Sequence, residues 1–146
     1  MSDKFFINKG LSAEEELLNL LRYNGIQYSG QGGEYRFVFS ENGRKWRTIC
    51  KCRGSTVMIY GLYPFELAED LKAVHTVSEI NAKLAYGCLF VLDGKAAMRT
   101  SAGLFDAYTA YEMIARALEY NADAVISFWD KMFLLRRVGD ERVYHT

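Results

Sequence analysis

Two histidines, three cysteines and one glycine-rich turn are the groups in this chain best suited to chemistry. None stands where a known reaction needs it. Histidine serves as acid, base and metal ligand near neutral pH, but His75 falls in a helical stretch and His145 is next to last in the sequence. Neither has Asp or Glu at a zinc-signature spacing. Cys50 and Cys52 are separated only by Lys51, so on a strand both thiols point the same way. A closed zinc site needs four ligands, and Cys88 adds only one more. The thiols read as small apolar core side chains, because a nucleophile needs a neighbouring base and no histidine lies near them in sequence. Gly30-Gln31-Gly32-Gly33 lacks the Gly-Lys-Ser/Thr ending of a phosphate loop and runs into a strand, not a helix. It reads as a connecting loop. Glu66, Glu69 and Asp70 read as a solvated helix start, with nothing to mark them for proton transfer. No catalytic residue, metal ligand or cofactor is expected.

Charge is a stronger signal. The chain balances 18 basic against 18 acidic residues, which leaves no whole-molecule field to steer it toward nucleic acid or an anionic membrane. Between Glu34 and Gly54, however, Arg36, Arg44, Lys45, Arg47, Lys51 and Arg53 face only Glu34 and Glu41. This local basic patch makes Arg44, Lys45 and Arg47 candidate partner-binding residues. Exposed aromatic rings among such charges would suit single-stranded nucleic acid. The nearby rings instead fall on the opposite strand face, so nucleic acid is the less favoured reading, and a plain solvated face or an acidic protein partner the more favoured.

These residues must be positioned by a chain of 146 residues and 16.7 kDa that is half hydrophobic and has one proline, a composition that suits a single globular domain over residues 1–146. No run approaches the roughly 20 apolar residues of a membrane span. The odd cysteine count without an export signal predicts reduced thiols in a cytoplasm.

Ser12, three residues before Glu15, predicts a capping box and a helix over about Ala13–Asn24, with Leu17, Leu18, Leu20 and Leu21 as its apolar positions. Glu14, Glu15 and Glu16 occupy its first turn, where the helix dipole favours them. Alternation then marks a hairpin about Asn42-Gly43, the strongest short-range hairpin signal. Counting outward pairs Phe39 with Trp46, Phe37 with Thr48 and Tyr35 with Cys50 on one face. Ser40–Lys45, Val38–Arg47, Arg36–Ile49 and Glu34–Lys51 fall on the other. Thr56-Val57-Met58-Ile59-Tyr60 reads as a third strand, buried enough to be apolar on both sides and ended by Tyr63-Pro64. Proline at a first helical turn predicts a helix over about Phe65–Ala85, buried through Leu67, Leu71, Val74, Val77 or Ser78, Ile80 and Leu84.

A second hairpin turns at Asp93-Gly94, pairing Leu89 with Met98 and Val91 with Ala96 as its core face. The reverse face mixes Phe90 with Arg99, which makes both candidate partner contacts. From about Asp106 to Arg137 the period is helical, with Asn121 or Asp123 able to cap a new start. Two apolar faces on that segment suggest either a sandwiched helix or docking to another chain. Tyr108, Tyr111, Ile126 and Trp129 are its candidate homodimer contacts. The fold class is α+β: helix, three antiparallel strands, helix, hairpin, helix.

The stretch from Val77 through Ile80-Asn81, Gly87 and Asp93-Gly94 to Lys95, with Arg99 after it, resembles the central helix and hairpin of the YbjN-type family. The order of elements resembles the wider type III secretion chaperone-like fold. That resemblance implies a homodimer that binds other proteins, in a family of bacterial sensory transduction regulators without an established enzymatic activity. Pattern positions Ile80, Asn81, Gly87, Asp93, Gly94 and Arg99 carry over, with Asn81 expected to hydrogen-bond the following turn and Gly87 to supply a positive φ. The expectation is a non-enzymatic, chaperone-like or regulatory adaptor with an unidentified protein partner. A nucleic-acid binder and a small-ligand sensor with a deep pocket beneath the sheet are the alternatives.

Overall fold

A computed structural model describes residues 11–137. Helix α1 (Ala13–Tyr23) is followed by β1 (Ser29–Gln31), β2 (Glu34–Glu41), β3 (Arg44–Arg53), β4 (Thr56–Glu66), α2 (Leu71–Lys83), β5 (Cys88–Leu92), β6 (Lys95–Gly103), α3 (Ala110–Ser127) and α4 (Trp129–Leu134). The strands form one antiparallel sheet in the order β1-β2-β3-β4-β6-β5. The molecule is therefore of the α+β class.

Local chemistry sets the boundaries. Ser12 Oγ accepts the Glu15 amide at 3.2 Å and starts α1. The β2–β3 register is the one the alternation predicts, from Glu34–Lys51 to Glu41–Arg44, and the β5–β6 hairpin likewise pairs Leu89 with Met98 and Val91 with Ala96. Asn42-Gly43 and Asp93-Gly94 turn with positive φ at both residues, as the tight turn that matches strand twist requires.

Pro64 does not start a helix. β4 continues to Glu66, because pairing with β3 has ended at Arg47–Leu62 and pairing with β6 is irregular between Leu62 and Glu66. The missing proline N–H costs no regular ladder bond there. Helix α2 starts instead at Asp70, whose Oδ1 accepts the Ala73 amide at 2.9 Å. Its expected buried stripe is also corrected: α2 buries only Ala73 and Ile80, while Leu71 is 76% and Val74 64% exposed. The segment Gly30–Gly33 is a hairpin and not a loop, since β1 pairs with β2 through Gly30–Tyr35 and Gln31–Glu34.

All four helices pack on the inner face of the sheet. Leu17 and Leu21 of α1 and Ile114 and Leu118 of α3 share a core with Tyr35, Phe37, Cys50, Val57 and Ile59. Ile80 of α2, Val125 of α3, and Trp129 and Met132 of the α4 segment share a second core with Trp46, Tyr63, Phe65, Leu89 and Met98. Asn121 lies at the centre of this inner face. It caps nothing: it is buried within α3, its Nδ2 donating to Met98 O at 2.8 Å and reaching Ile59 O and Thr100 Oγ1. Close approach of α3 is possible because β4 carries Gly61 there; a Cβ at that position would lie 2.5 Å from Asn121 Oδ1 and 2.8 Å from Val125 Cγ2. The break expected near Asn121 falls at Phe128, between α3 and α4.

Candidate functional site

With every helix on one side, the outer sheet face is covered by no described element. Residue alternation puts the even-numbered positions of β4 on it, and Thr56, Met58, Tyr60, Leu62, Pro64 and Glu66 are all half-buried there, while their odd-numbered neighbours from Val57 to Phe65 are buried. Registered neighbours extend this central strip in rows: Arg36, Ile49, Tyr60, Arg99 and Cys88 in one, Val38, Arg47, Leu62, Ala97 and Phe90 in the next.

The outer face has an apolar middle and a cationic border. Cations stand at Arg36, Lys45, Arg47, Lys51, Arg53, Lys95 and Arg99, against acids at Glu34 and Glu66. Glu34 pairs with Arg36 and with Lys51, the latter at 3.9 Å, and Glu66 pairs with Arg137. Tyr60 and Phe90 meet edge to face, centroids 6.2 Å apart and planes at 85°. The Lys51 ammonium lies 5.4 Å from the Tyr60 centroid and the Arg99 guanidinium 6.0 Å from that of Phe90, both within cation–π range.

The sequence-derived contacts divide across the sheet. Lys45, Arg47, Phe90 and Arg99 share the outer face. Arg44 does not, because alternation sends it to the opposite side: its Nη2 bonds Asp130 at 2.8 Å and its guanidinium lies over Trp129. Among the candidate dimer residues, Tyr108 is 97% exposed. Tyr111 packs edge to face on Tyr23 and its hydroxyl accepts from Asn24. Ile126 is half-buried against the second core. Trp129 has to be reassigned from the surface to the core, since it is 6% exposed and packs on Trp46, Tyr63 and Phe65 at 5.6–6.1 Å.

The sequence reading missed Tyr60, Met58 and Leu62 as outer-face residues. It treated the third strand as apolar on both sides; the signal that could have found them is Gly61 and Pro64, which extend the alternation beyond Tyr60. It also missed the surface along α2, where Leu71, Val74, Val77 and Val91 line an open groove of about 640 Å³.

The thiols are free. Burial pushes Cys50 far up and Cys52 up to about 11, with the neighbouring Glu14 charge adding to the latter. Both are thus protonated at neutral pH, which suits core packing and not nucleophilic attack. Glu14 Oε2 accepts from the Gly33 amide at 2.8 Å and the Tyr35 hydroxyl at 2.5 Å, and that carboxylate bond raises the Tyr35 phenol. The pair ties α1 to the start of β2. Among the described residues no cluster of His, Cys, Asp or Glu is arranged to hold a metal. His145 lies outside them.

Structural comparison decides the fold. Superposed on the crystal structure of YbjN, a candidate transcription regulator from E. coli, the chain aligns over 81% of its own length and 92% of that protein's, with a TM-score of 0.59 and 15% identity. This protein has a YbjN-like fold. No family model and no curated protein sequence matches the chain, so the YbjN-like assignment rests on three-dimensional arrangement. Two residues expected from the YbjN resemblance act structurally. Gly87 has φ +78, and a Cβ there would lie 2.2 Å from Arg99 O. Asn81 bonds strand β5 and not the turn that precedes it. No helix among the described residues is long and apolar enough to cross a membrane.

Proposed function

We propose that this YbjN-like chain is a non-catalytic regulatory adaptor of the cytoplasm, a homodimer that docks a protein partner on the open face of its sheet. The observation that carries this reading is the one-sidedness of the fold. The helices leave the outer face with a half-buried apolar strip, Met58, Tyr60 and Leu62, inside a charged border. Apolar centre and polar rim are the anatomy of a protein interface. The description of YbjN as a candidate transcription regulator supports a regulatory setting.

For self-association the supporting surface is α2. Its outward stripe runs from large to small, Leu71, Val74, Ser78 and Ala82, all exposed. A two-fold axis near Thr76 would set Leu71 against the partner copy's small end and Lys83 against its Glu69, which makes the stripe self-complementary, as an isologous contact requires.

Site-specific photo-crosslinking in cells tests the docking reading. A crosslinker at Met58 or Leu62 is expected to give protein adducts and one at Tyr108 none. Adducts from Tyr108 alone, or adducts only to nucleic acid, would refute it.

A second reading, single-stranded nucleic acid, is favoured by the presence of Tyr60 and Phe90 among the cations. Against it, the two rings stand edge to face, each with a cation over it, so they offer no pair of open faces for stacked bases.

A further inference from the structure

At the Pro64 end of the outer face the sheet forms a shallow basin of about 300 Å³, lined by Val38, Lys45, Arg47, Leu62, Pro64 and Lys95. We infer that this basin anchors an acidic protein segment in which Asp or Glu residues flank a large apolar side chain. The inference rests on the outer face being the docking surface, and specifies what that surface selects.

The floor and walls differ in chemistry. Leu62 and Pro64 of β4 and Val38 of β2 supply an apolar floor. Lys45 and Arg47, two residues apart on β3, stand on one side, and Lys95 of β6 stands across β4 on the other. At strand spacings of about 4.8 Å and roughly 6.6 Å per two residues, the three cations bracket an area that one extended segment of a few residues covers. None of the three forms an ion pair with an acid among the described residues; the pairs on this face use Arg36, Lys51 and Arg137. Glu66 stands in register with Lys95 at the edge of the basin but pairs with Arg137.

This chemistry selects carboxylates joined to apolar groups over a polynucleotide. The basin contains no aromatic ring on its outer side: Trp46 and Tyr63 contribute from strand positions whose side chains are buried on the inner face. Of the outer-face rings, Tyr60 lies one row away, and Phe90, in the row of Leu62 but beyond Ala97, packs on Tyr60. A base would find cations but nothing to stack on, whereas an apolar side chain between two carboxylates meets both floor and walls. Exposed pairs of this kind are individually weak and screened by salt, so the apolar contact supplies the salt-resistant part.

The test is selection of short random peptides displayed on phage against the full chain, followed by fluorescence anisotropy of the synthetic peptides. The variants are Lys45→Glu/Arg47→Glu/Lys95→Glu, the single changes Lys45→Ala, Arg47→Ala and Lys95→Ala, and Leu62→Ser, each checked for folding by circular dichroism. Enriched peptides are expected to place Asp or Glu around an apolar residue. Each single alanine change should weaken them about two- to fivefold, the triple reversal should abolish binding, and Leu62→Ser should remove what survives high salt. Neutral or basic peptides that need Leu62 but ignore the triple reversal would overturn the acidic segment while leaving the docking face intact. Peptides indifferent to every outer-face variant, or no enrichment at all, would overturn the docking reading itself. Tighter binding of oligothymidine than of any peptide, lost in the triple reversal, would assign the basin to nucleic acid.

Discussion

The side-chain amide of Asn81 and the backbone of Leu89 exchange two hydrogen bonds, Nδ2 donating to Leu89 O at 2.8 Å and Leu89 N donating to Oδ1 at 2.7 Å. Asn81 thus serves edge strand β5 as a neighbouring strand would, occupying groups that would otherwise invite pairing with another chain. It also fastens α2, which buries little else, to the sheet.

Asn81→Ala removes both bonds and leaves the Leu89 amide and carbonyl without these partners. A loss of about 1–3 kcal/mol is expected, measured by urea unfolding. Hydrogen exchange at the Leu89 amide should accelerate more than exchange on β3 or β4. A uniform change across the sheet would show that Asn81 does not act locally.

Gly61→Ala sets a methyl against Asn121 Oδ1 and Val125. Overpacking of this kind costs about 1–3 kcal/mol. The thermal midpoint should fall, and the pairing of Gly61→Ala with Asn121→Ala should recover part of the loss, because the closest obstructing atom is then gone.

Trp129 and Leu71 should behave oppositely. Trp129→Ala empties an aromatic core and is expected to cost about 3–5 kcal/mol, giving partly unfolded protein. Leu71→Glu changes an exposed residue and should leave circular dichroism unchanged. Light scattering should find wild type at twice 16.7 kDa regardless of salt and Leu71→Glu at the monomer mass. Dimers in both would move the interface away from α2.

Cys52 gives a pH dependence. Its folded pKa is raised to about 11 from an ordinary 9.0, by burial first and by Glu14 second. The folded state therefore holds the thiol proton more tightly than the unfolded chain, so this contribution is fully present below pH 9.0 and is lost as pH rises toward about 11. Stability should decline through that window, and Cys52→Ser should remove part of the decline, the rest falling to the more deeply buried Cys50. An unchanged slope would assign the alkaline loss to other groups, Tyr35 among them.

The legibility of the sequence varied with the range of the interactions involved. The two hairpins were readable down to residue pairs, because period-two alternation and Asn-Gly or Asp-Gly turns are local. Helix α1 was equally clear from Ser12 and Glu15. Pro64 misled because its cost depends on where neighbouring strands stop pairing, which no local pattern contains. Leu71 and Val74 misled because helical apolar spacing does not say which side meets the sheet. Trp129 looked suited to an interface until the rings of Trp46, Tyr63 and Phe65 enclosed it. For the candidate site, Lys45, Arg47, Phe90 and Arg99 are legible in the sequence; that they share one uncovered face with Tyr60 and Leu62 follows only from β6 pairing with β4.

The most direct measurement is amide chemical-shift mapping of the isotope-labelled protein titrated with a peptide selected as above. Shifts are expected at Lys45, Arg47, Leu62 and Lys95, with Tyr108, Tyr111 and α1 unmoved. Shifts confined to the helical layer or to the α2 groove, with those strand amides silent, would contradict the claim that the open sheet face is where this protein binds.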